Sequence, residues 1–351
     1  MIQTQAQLRD FLNAIQGETE LAIDTEFKRV STYYPVLCLV QIATESATDC
    51  IDVLALDDLK PLFDKLYQDD CVWIVHSARQ DIEAMYCLSE RLPKQLFDTQ
   101  IAASLLNHPM QVSYQALTES LQNVYLEKAY TRLDWTTRPL PEAAIEYALD
   151  DVRYLIKNYH QLKTQLQAEN KSDWIIEEAQ NLLNIDLYLP PIDQAWQRVK
   201  GLSRIKKSAH NLAAQLAAWR EHRAQASNRP RKWVLADDAL IAHALGKESK
   251  ESKEGLSNKA QKSFDSFLTG HLSIQNIKID LGKNTPPTKT EKAQKVVLQK
   301  LIQEKANQYN LAVEVMASSK SLLKYIRGDQ SVMFCQGWRH HLLQGDLENA
   351  K

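Results

Sequence analysis

Every strand-like run in this chain lies in its first hundred residues, and from about residue 205 onward the pattern is helical alone. That division constrains the fold more than any other feature. One sheet must be built from the N-terminal part, and the C-terminal part must bury helix against helix. ELAIDTEF (20–27), LCLVQIAT (37–44) and TDCIDVL (48–54) read as successive strands. Their connections are too short for helical crossovers, which suits antiparallel neighbours. A helix near 57–68 follows, with Asp57 or Asp58 able to cap it. VWIVHS (72–77) reads as a buried strand, then a helix at 78–88, a short strand at 96–99, and helices at 99–107 and 113–122. PEAAIEYALDDVRYLIKNYHQLKTQLQ (141–167) reads as one long helix opening with Pro141 near its first turn. A meander followed by β-α units indicates an α/β fold with one mixed sheet.

The helical half opens after PPID (190–193), which reads as a hinge. SAHNLAAQLAAWREHRAQAS (208–227) has Leu212, Leu216 and Trp219 at helical spacing. KESKESKEGLSNKAQK is charged and polar, a long loop or a frayed helix start, and GKNTPPTKT (282–290) is the clearest linker. A last helical unit covers about 291–351. At 351 residues the chain has room for two or three domains. No run of 18 apolar residues is present, so no membrane span is expected. The N-terminus lacks the basic, apolar and small-residue pattern of a signal peptide, and reads as a first amphipathic helix with Thr4 as a possible N-cap. Five scattered cysteines without a C-x-x-C pair suggest reduced, buried thiols and a cytoplasmic protein. The net charge of −2 conceals an imbalance: residues 1–200 hold 17 Lys+Arg against 30 Asp+Glu, and residues 201–351 hold 25 against 14. An acidic half joined to a basic half fits catalysis at one end and binding of a phosphate backbone at the other.

Three short stretches of the acidic half carry the chemistry. Asp24 and Glu26 stand in LAIDTEF, two residues apart on a strand and so on one face of it. Asp81 stands in VWIVHSARQDIEAM, at the start of a helix that follows a strand, and Asp151 closes EYALDD on the long helix. Hydrolysis of a phosphodiester must stabilise charge on attacking and leaving oxygens, which two divalent ions about 3.5–4 Å apart achieve. Mg²⁺ takes hard oxygen ligands and keeps several waters, so a few carboxylates suffice. Asp24 and Glu26 are placed to grip one ion, with Asp24 bridging to a second, and Asp81 and Asp151 supply the remaining ligands. Tyr147 lies four residues before Asp151, on the same helical face, where its hydroxyl is suited to orient a water rather than to act as a base. Asp150 is an alternative ligand to Asp151. Each element alone is commonplace; the order D-x-E, H-x₄-D, Y-x₃-D is not.

These segments resemble the DEDD exonuclease superfamily in its tyrosine-containing branch, and specifically the bacterial ribonuclease D family. FKRVSTYYPVLCLVQIAT, FDTQIAASLL, TRLDWTTRPL and EYALDDVRYL are similar to the family's nuclease segments. AWQRVKG and LAAWREHRAQASNRPRKWVLADDAL resemble the entry into its first helicase-and-RNase-D C-terminal (HRDC) domain, and RGDQSVMFCQGWRHHLL the end of the second. KESKESKEG and KAYTRLDW depart from the family pattern. The resemblance implies a ribonuclease-H-like α/β exonuclease domain with a mixed sheet (1–190), a linker (191–207), a divergent all-α HRDC domain (208–282), a second linker (283–290) and an HRDC-like all-α domain (291–351). It implies metal-linked roles for Asp24, Glu26, Asp81 and Asp151 with two divalent cations, Mg²⁺ or Mn²⁺, and water positioning for Tyr147. The expected activity is removal of nucleotides from RNA 3′ ends, tRNA precursors or other structured RNA, releasing 5′-monophosphates, by a monomer without membrane attachment. A DNA 3′→5′ exonuclease with the same acids and a catalytically silent RNA-binding scaffold are the alternatives.

Further positions admit two readings each. Phe27 could stack on the terminal base or pack in the core. His76 could approach a substrate phosphate or serve as a hydrogen-bonded structural group. Gln41 could donate to substrate or bond at a sheet edge. Trp135 and Arg138, in a loop between helices, could contact the RNA strand or plug the loop onto the core. Arg204, Lys206, Lys207, Arg229, Arg231 and Lys232 could form a phosphate track or a solvated surface.

Overall fold

Three strands paired in parallel and two paired antiparallel define the sheet. In a computed structural model, β1 (Glu20–Lys28) pairs parallel to β4 (Val72–Val75) over Glu20–Ala22, and β4 pairs parallel to β5 (Gln95–Asp98). On the other side β2 (Val36–Ala43) pairs antiparallel with β3 (Thr48–Asp52), and the sheet order is β3-β2-β1-β4-β5. The sheet is therefore mixed, as the spacing of the segments implied. The structure describes residues 1–127, 130, 133–246, 257–277, 279, 281 and 285–349, with side chains to 347. The charged run 247–255, the start of the 282–290 linker and most of 128–132 lie outside the described residues.

The described residues form two compact units, 1–28 with 37–184 and 286–351, and 29–36 with 185–285. In the first, α1 (Gln5–Ala14) begins at Thr4 with a reciprocal cap: Thr4 Oγ1 accepts from Gln7 N and Gln7 Oε1 accepts from Thr4 N at 3.0 Å. α2 (Lys60–Leu66) starts later than the sequence suggested, because Pro61 fits only the first turn; Asp58 Oδ1 still accepts from Lys60 N at 2.8 Å. β2 is buried along almost its whole length, which its unbroken apolar run requires of an interior strand. α3 (Arg79–Ser89), α4 (Thr99–Leu105) and α5 (Tyr114–Gln122) follow.

The expected single helix at 141–167 is two, α6 (Glu142–Arg153) and α7 (Leu155–Ala168), broken at Tyr154. No proline or glycine marks the break. Gln122 Nε2 donates to the Tyr154 carbonyl at 2.9 Å, a tertiary contact that no local pattern encodes. α8 (Ser172–Leu182) completes this part and was not foreseen.

In the second unit α9 (His210–Ala226), α10 (Arg231–Val234), α11 (Asp237–Ala244) and α12 (Asn258–Gly270) surround a core of Leu216, Ala217, Trp219, Leu240, Phe264 and Phe267. Leu216 and Trp219 are buried as their spacing implied, but α9 is covered on more than one face, its alanines permitting close neighbours. Segment 29–36 belongs here: Asn228 Oδ1 accepts from Tyr33 N and Tyr34 N, each at 3.0 Å, and Tyr33 Oη donates to the buried Glu221 at 2.5 Å.

α13 (Lys289–Gln308), α14 (Val313–Met316), α15 (Ser319–Ile326) and α16 (Gly337–Asn349) share the first unit's core. Trp174 of α8 stacks on Trp338 of α16, centroids 4.3 Å apart and planes 9° from parallel. Trp338 Nε1 donates to Glu178 at 2.9 Å, and Arg339 pairs with the same carboxylate.

Candidate active site

Asp24 and Glu26 lie on β1 beyond the stretch paired with β4, towards the carboxyl ends of the parallel strands, where open α/β sheets place their sites. Asp151, in the last turn of α6, meets them. Asp24, Glu26 and Asp151 each offer a carboxylate oxygen, and these oxygens lie within 4.8 Å of one another. Asp81, buried in the first turn of α3, stands outside this trio, and its Oδ1 accepts from Thr25 Oγ1 at 2.6 Å. The turn that aims α3 depends on Asp98. Its Oδ1 accepts from Ser77 N at 3.1 Å and its Oδ2 from Ala78 N at 2.8 Å, while Oδ1 also caps α4 through Gln100 N at 2.8 Å. Those bonds hold Ser77 at a φ of 66°, a left-handed conformation rare outside glycine. Neither Thr25 nor Asp98 was singled out from sequence. The D-T pair at the strand-to-helix junction is the N-cap signal that marks Asp98.

The electrostatics are those of like charges confined together. Burial, then Asp81, Asp151 and Glu26, push the Asp24 carboxyl well above its ordinary range. Burial, then Asp151 and Asp81, raise Glu26 to about 8. Burial raises Asp81 to about 7 against the opposing bond from Thr25, and burial with Asp150 raises Asp151 to about 7. Tyr147 hydrogen-bonds Asp151, and burial together with Asp151, Glu26 and Asp24 pushes its phenol up, so it stays protonated at neutral pH. The charges acting most strongly on Asp24 and Glu26 are those of the other acids, while Asp98 presses most on Asp81 and Asp150 on Asp151. Hard oxygens so arranged fit a divalent cation such as Mg²⁺ or Mn²⁺, which offsets a repulsion the protein alone leaves standing.

A pH dependence follows. Without metal, Glu26, Asp81 and Asp151 are pushed up to about 8, 7 and 7 in the folded state from ordinary carboxyl values of 4.5, 3.8 and 3.8. Raised carboxyl pKa values contribute stability that is fully present below the unfolded values and is lost as pH rises through the folded ones. The melting temperature in EDTA is expected to fall between pH 5.5 and 8.5, and Mg²⁺ or Mn²⁺ to restore it more at 8.5 than at 5.5. An equal shift at both pH values, by thermal unfolding, contradicts the charge arrangement.

The other singled-out positions are placed as follows. Asp150 pairs with Arg153, and its carbonyl accepts from Tyr114 Oη at 3.0 Å, leaving Asp151 to face the acids. His76 has both ring nitrogens engaged, Nδ1 with Thr99 Oγ1 at 2.9 Å and Nε2 with the Val112 carbonyl at 3.0 Å; burial lowers its pKa. Arg138 grips Asp52 with Nε at 2.7 Å and Nη2 at 2.6 Å, and its Nη1 donates to the carbonyl of the buried Trp135. Gln41 lies on an interior strand, not an edge, and is 0% exposed with neither amide atom hydrogen-bonded. Phe27 is half-buried. Beside Tyr147 and Asp151 opens a cleft of about 540 Å³ also lined by Tyr125 and Tyr130. The Tyr130 ring lies 6.1 Å from that of Tyr147, a neighbour not anticipated from sequence.

A family model described as 3′-5′ exonuclease matches residues 1–167. A ribonuclease D of Bartonella henselae is 34% identical over 97% of this chain and 87% of its own. The chain belongs to the ribonuclease D family. A ribonuclease D of Nitrobacter hamburgensis is 31% identical over 97% of this chain and 92% of its own. The crystal structure of Escherichia coli RNase D, described as an exoribonuclease involved in structured RNA processing, superposes with a TM-score of 0.84 at 24% identity, covering 100% of this chain and 97% of that one, and so shares the fold. Membership in the ribonuclease D family makes the chain a 3′→5′ exoribonuclease.

Proposed function

We propose that Asp24, Glu26 and Asp151 hold divalent cations, with Asp81 on the second ion or its water, and that RNA 3′ ends, those of tRNA precursors among them, are trimmed there to 5′-monophosphates. The observation that carries this reading is the convergence of three carboxylates from β1 and α6 within 4.8 Å. Two Mg²⁺ or Mn²⁺ ions bound there supply Lewis acidity and neutralise charge on the scissile phosphate. Thr25 fixes Asp81 in position through its 2.6 Å bond. Tyr147 keeps its proton and orients the attacking water alongside Asp151, and the ring of Tyr130 limits where that hydroxyl swings. We further read 208–282 and 291–351 as the divergent HRDC and HRDC-like domains, and the protein as a cytoplasmic monomer. Its five free cysteines fit a reducing compartment, and among the described residues no helix is long and apolar enough to cross a membrane.

Timed digestion of a 5′-labelled, 3′-extended tRNA precursor tests the reading. A ladder that shortens from the 3′ end in Mg²⁺, and stops in EDTA, is expected; shortening that persists in EDTA contradicts it. Tyr147→Phe removes one hydrogen bond to a charged group, about 1.5–3 kcal/mol. A fall in kcat of about ten- to hundredfold with KM little changed is expected. Steady-state kinetics showing a changed KM and an unchanged kcat would assign Tyr147 to substrate binding instead.

A further inference from the structure

Two imidazoles of the second unit come together from different helices. His222 stands on α9 and is exposed; His271 caps the end of α12 and is half-buried. Their ring centroids lie 5.4 Å apart, with planes 61° from parallel. Phe267, buried in that unit's core, supports both. Its ring stacks on His271 at 4.4 Å and 25°, and lies 5.3 Å from His222.

Both imidazoles present a lone pair. His271 Nδ1 lies 3.1 Å from the Phe267 carbonyl, and a carbonyl only accepts, so Nδ1 carries the hydrogen. In the neutral ring Nε2 is then left as an acceptor. A carbonyl on the far nitrogen is the support that metal-bound imidazoles ordinarily have, because it fixes the tautomer and aims the ring. Burial, then His271 and Arg223, lower the His222 pKa, so that ring is neutral at neutral pH. The spacing suits a chelate. Two imidazoles on one tetrahedral ion, with metal–nitrogen bonds of about 2.0–2.1 Å, hold their ring centres about 5 Å apart. Ring packing alone allows about 4.5–7 Å, but it does not ask for a fixed tautomer with its second nitrogen left open.

We infer that His222 and His271 bind one transition-metal ion of the Zn²⁺, Ni²⁺ or Cu²⁺ class. Imidazole suits these ions, whereas carboxylate oxygens suit Mg²⁺ and Mn²⁺, so this site differs in chemistry from the acid cluster. Among the described residues no third His, Cys, Asp or Glu joins the pair, and water completes the coordination. The ion ties α9 to the end of α12. Because the unfolded chain does not hold the two rings together, binding stabilises the folded state.

Calorimetric titration of Ni²⁺ into full-length Asp24→Asn tests the inference, since that background lacks one of the clustered acids. One Ni²⁺ per chain is expected. Adding His222→Ala, which alters only an exposed side chain, should weaken binding at least tenfold, and His271→Ala should do the same. Saturating Ni²⁺ should raise the melting temperature of the background and leave that of the His222→Ala form unchanged. With one equivalent of Cu²⁺, electron paramagnetic resonance should show two coordinated nitrogens in the background and one in the His222→Ala form, a readout that ring packing does not move. If His271→Ala fails to fold, His222→Ala alone decides. Equal Ni²⁺ affinity with and without His222, no uptake by the background, or copper spectra unchanged by His222→Ala overturns the inference and leaves the pair as packing on Phe267. RNA hydrolysis in Mg²⁺ by the single variant His222→Ala should stay at the wild-type rate; a loss would overturn the separation from the acid cluster.

Discussion

Replacing Asp24 by Asn is expected to abolish RNA hydrolysis and at the same time to raise the melting temperature of the metal-free protein. Asp24 is the member of the acid cluster on which the others press hardest: burial and the charges of Asp81, Asp151 and Glu26 all push its carboxyl up. Asn keeps the shape and removes the charge, so Glu26 and Asp151 lose a like-charged neighbour and the folded state is relieved. The same change removes one of the three carboxylates that we propose would hold the cations. Charge stabilisation by bound metal is worth several kcal/mol, and each 1.36 kcal/mol is tenfold, so a loss of about 10³–10⁴-fold is expected. Activity on labelled RNA in Mg²⁺ and melting in EDTA at pH 8 report the two halves. Hydrolysis within tenfold of wild type, or a lower melting temperature with unchanged secondary structure, contradicts the assignment.

The second large effect lies far from the chemistry. Gly337 opens α16 at a φ of 52°, and a Cβ built there overlaps the Glu177 carboxylate. That carboxylate accepts from Trp338 N at 2.9 Å, one of the donors a helix start leaves unpaired. Gly337→Ala therefore brings a left-handed backbone penalty of about 1–2 kcal/mol and displaces the Glu177 carboxylate, at about 1 kcal/mol for a lost cap. The displaced group sits next to the Trp174–Trp338 stack that ties the C-terminal helices to the nuclease core. A loss of about 2–4 kcal/mol in urea unfolding is expected. Gly337→Ala combined with Glu177→Ala should cost less than the sum of the two single changes, because the collision is gone. A single variant within about 0.5 kcal/mol of wild type would show that the helix start tolerates a side chain.

The convergence of Asp24, Glu26 and Asp151 was legible because strand and helix periodicity aim them. Asp24 and Glu26 share a face by alternation, and Tyr147 and Asp151 by helical spacing, which are local rules. The mixed sheet was legible for the same reason, since short connections forbid crossovers. What stayed hidden was set by partners distant in sequence. The break at Tyr154 is stabilised by Gln122, and the aim of α3 by Asp98 acting across a strand. Arg138 carried a charge that sequence left open between RNA and core, and Asp52, 86 residues away, takes it up. Segment 29–36 looked like a simple connection between strands, yet Asn228 and Glu221 fix it in the second unit. The basic groups around residue 231 were visible as charge. That Arg231 is half spent on Glu221 needed the fold.

Anomalous diffraction at the manganese edge, from crystals of the protein grown with Mn²⁺, addresses the cation site without relying on turnover. Density within about 2.0–2.6 Å of oxygens from Asp24, Glu26 and Asp151 is the expected result, with a second peak towards Asp81. Well-ordered carboxylates with no peak among them, or peaks held only by other residues, would contradict the site on which the proposed hydrolysis depends.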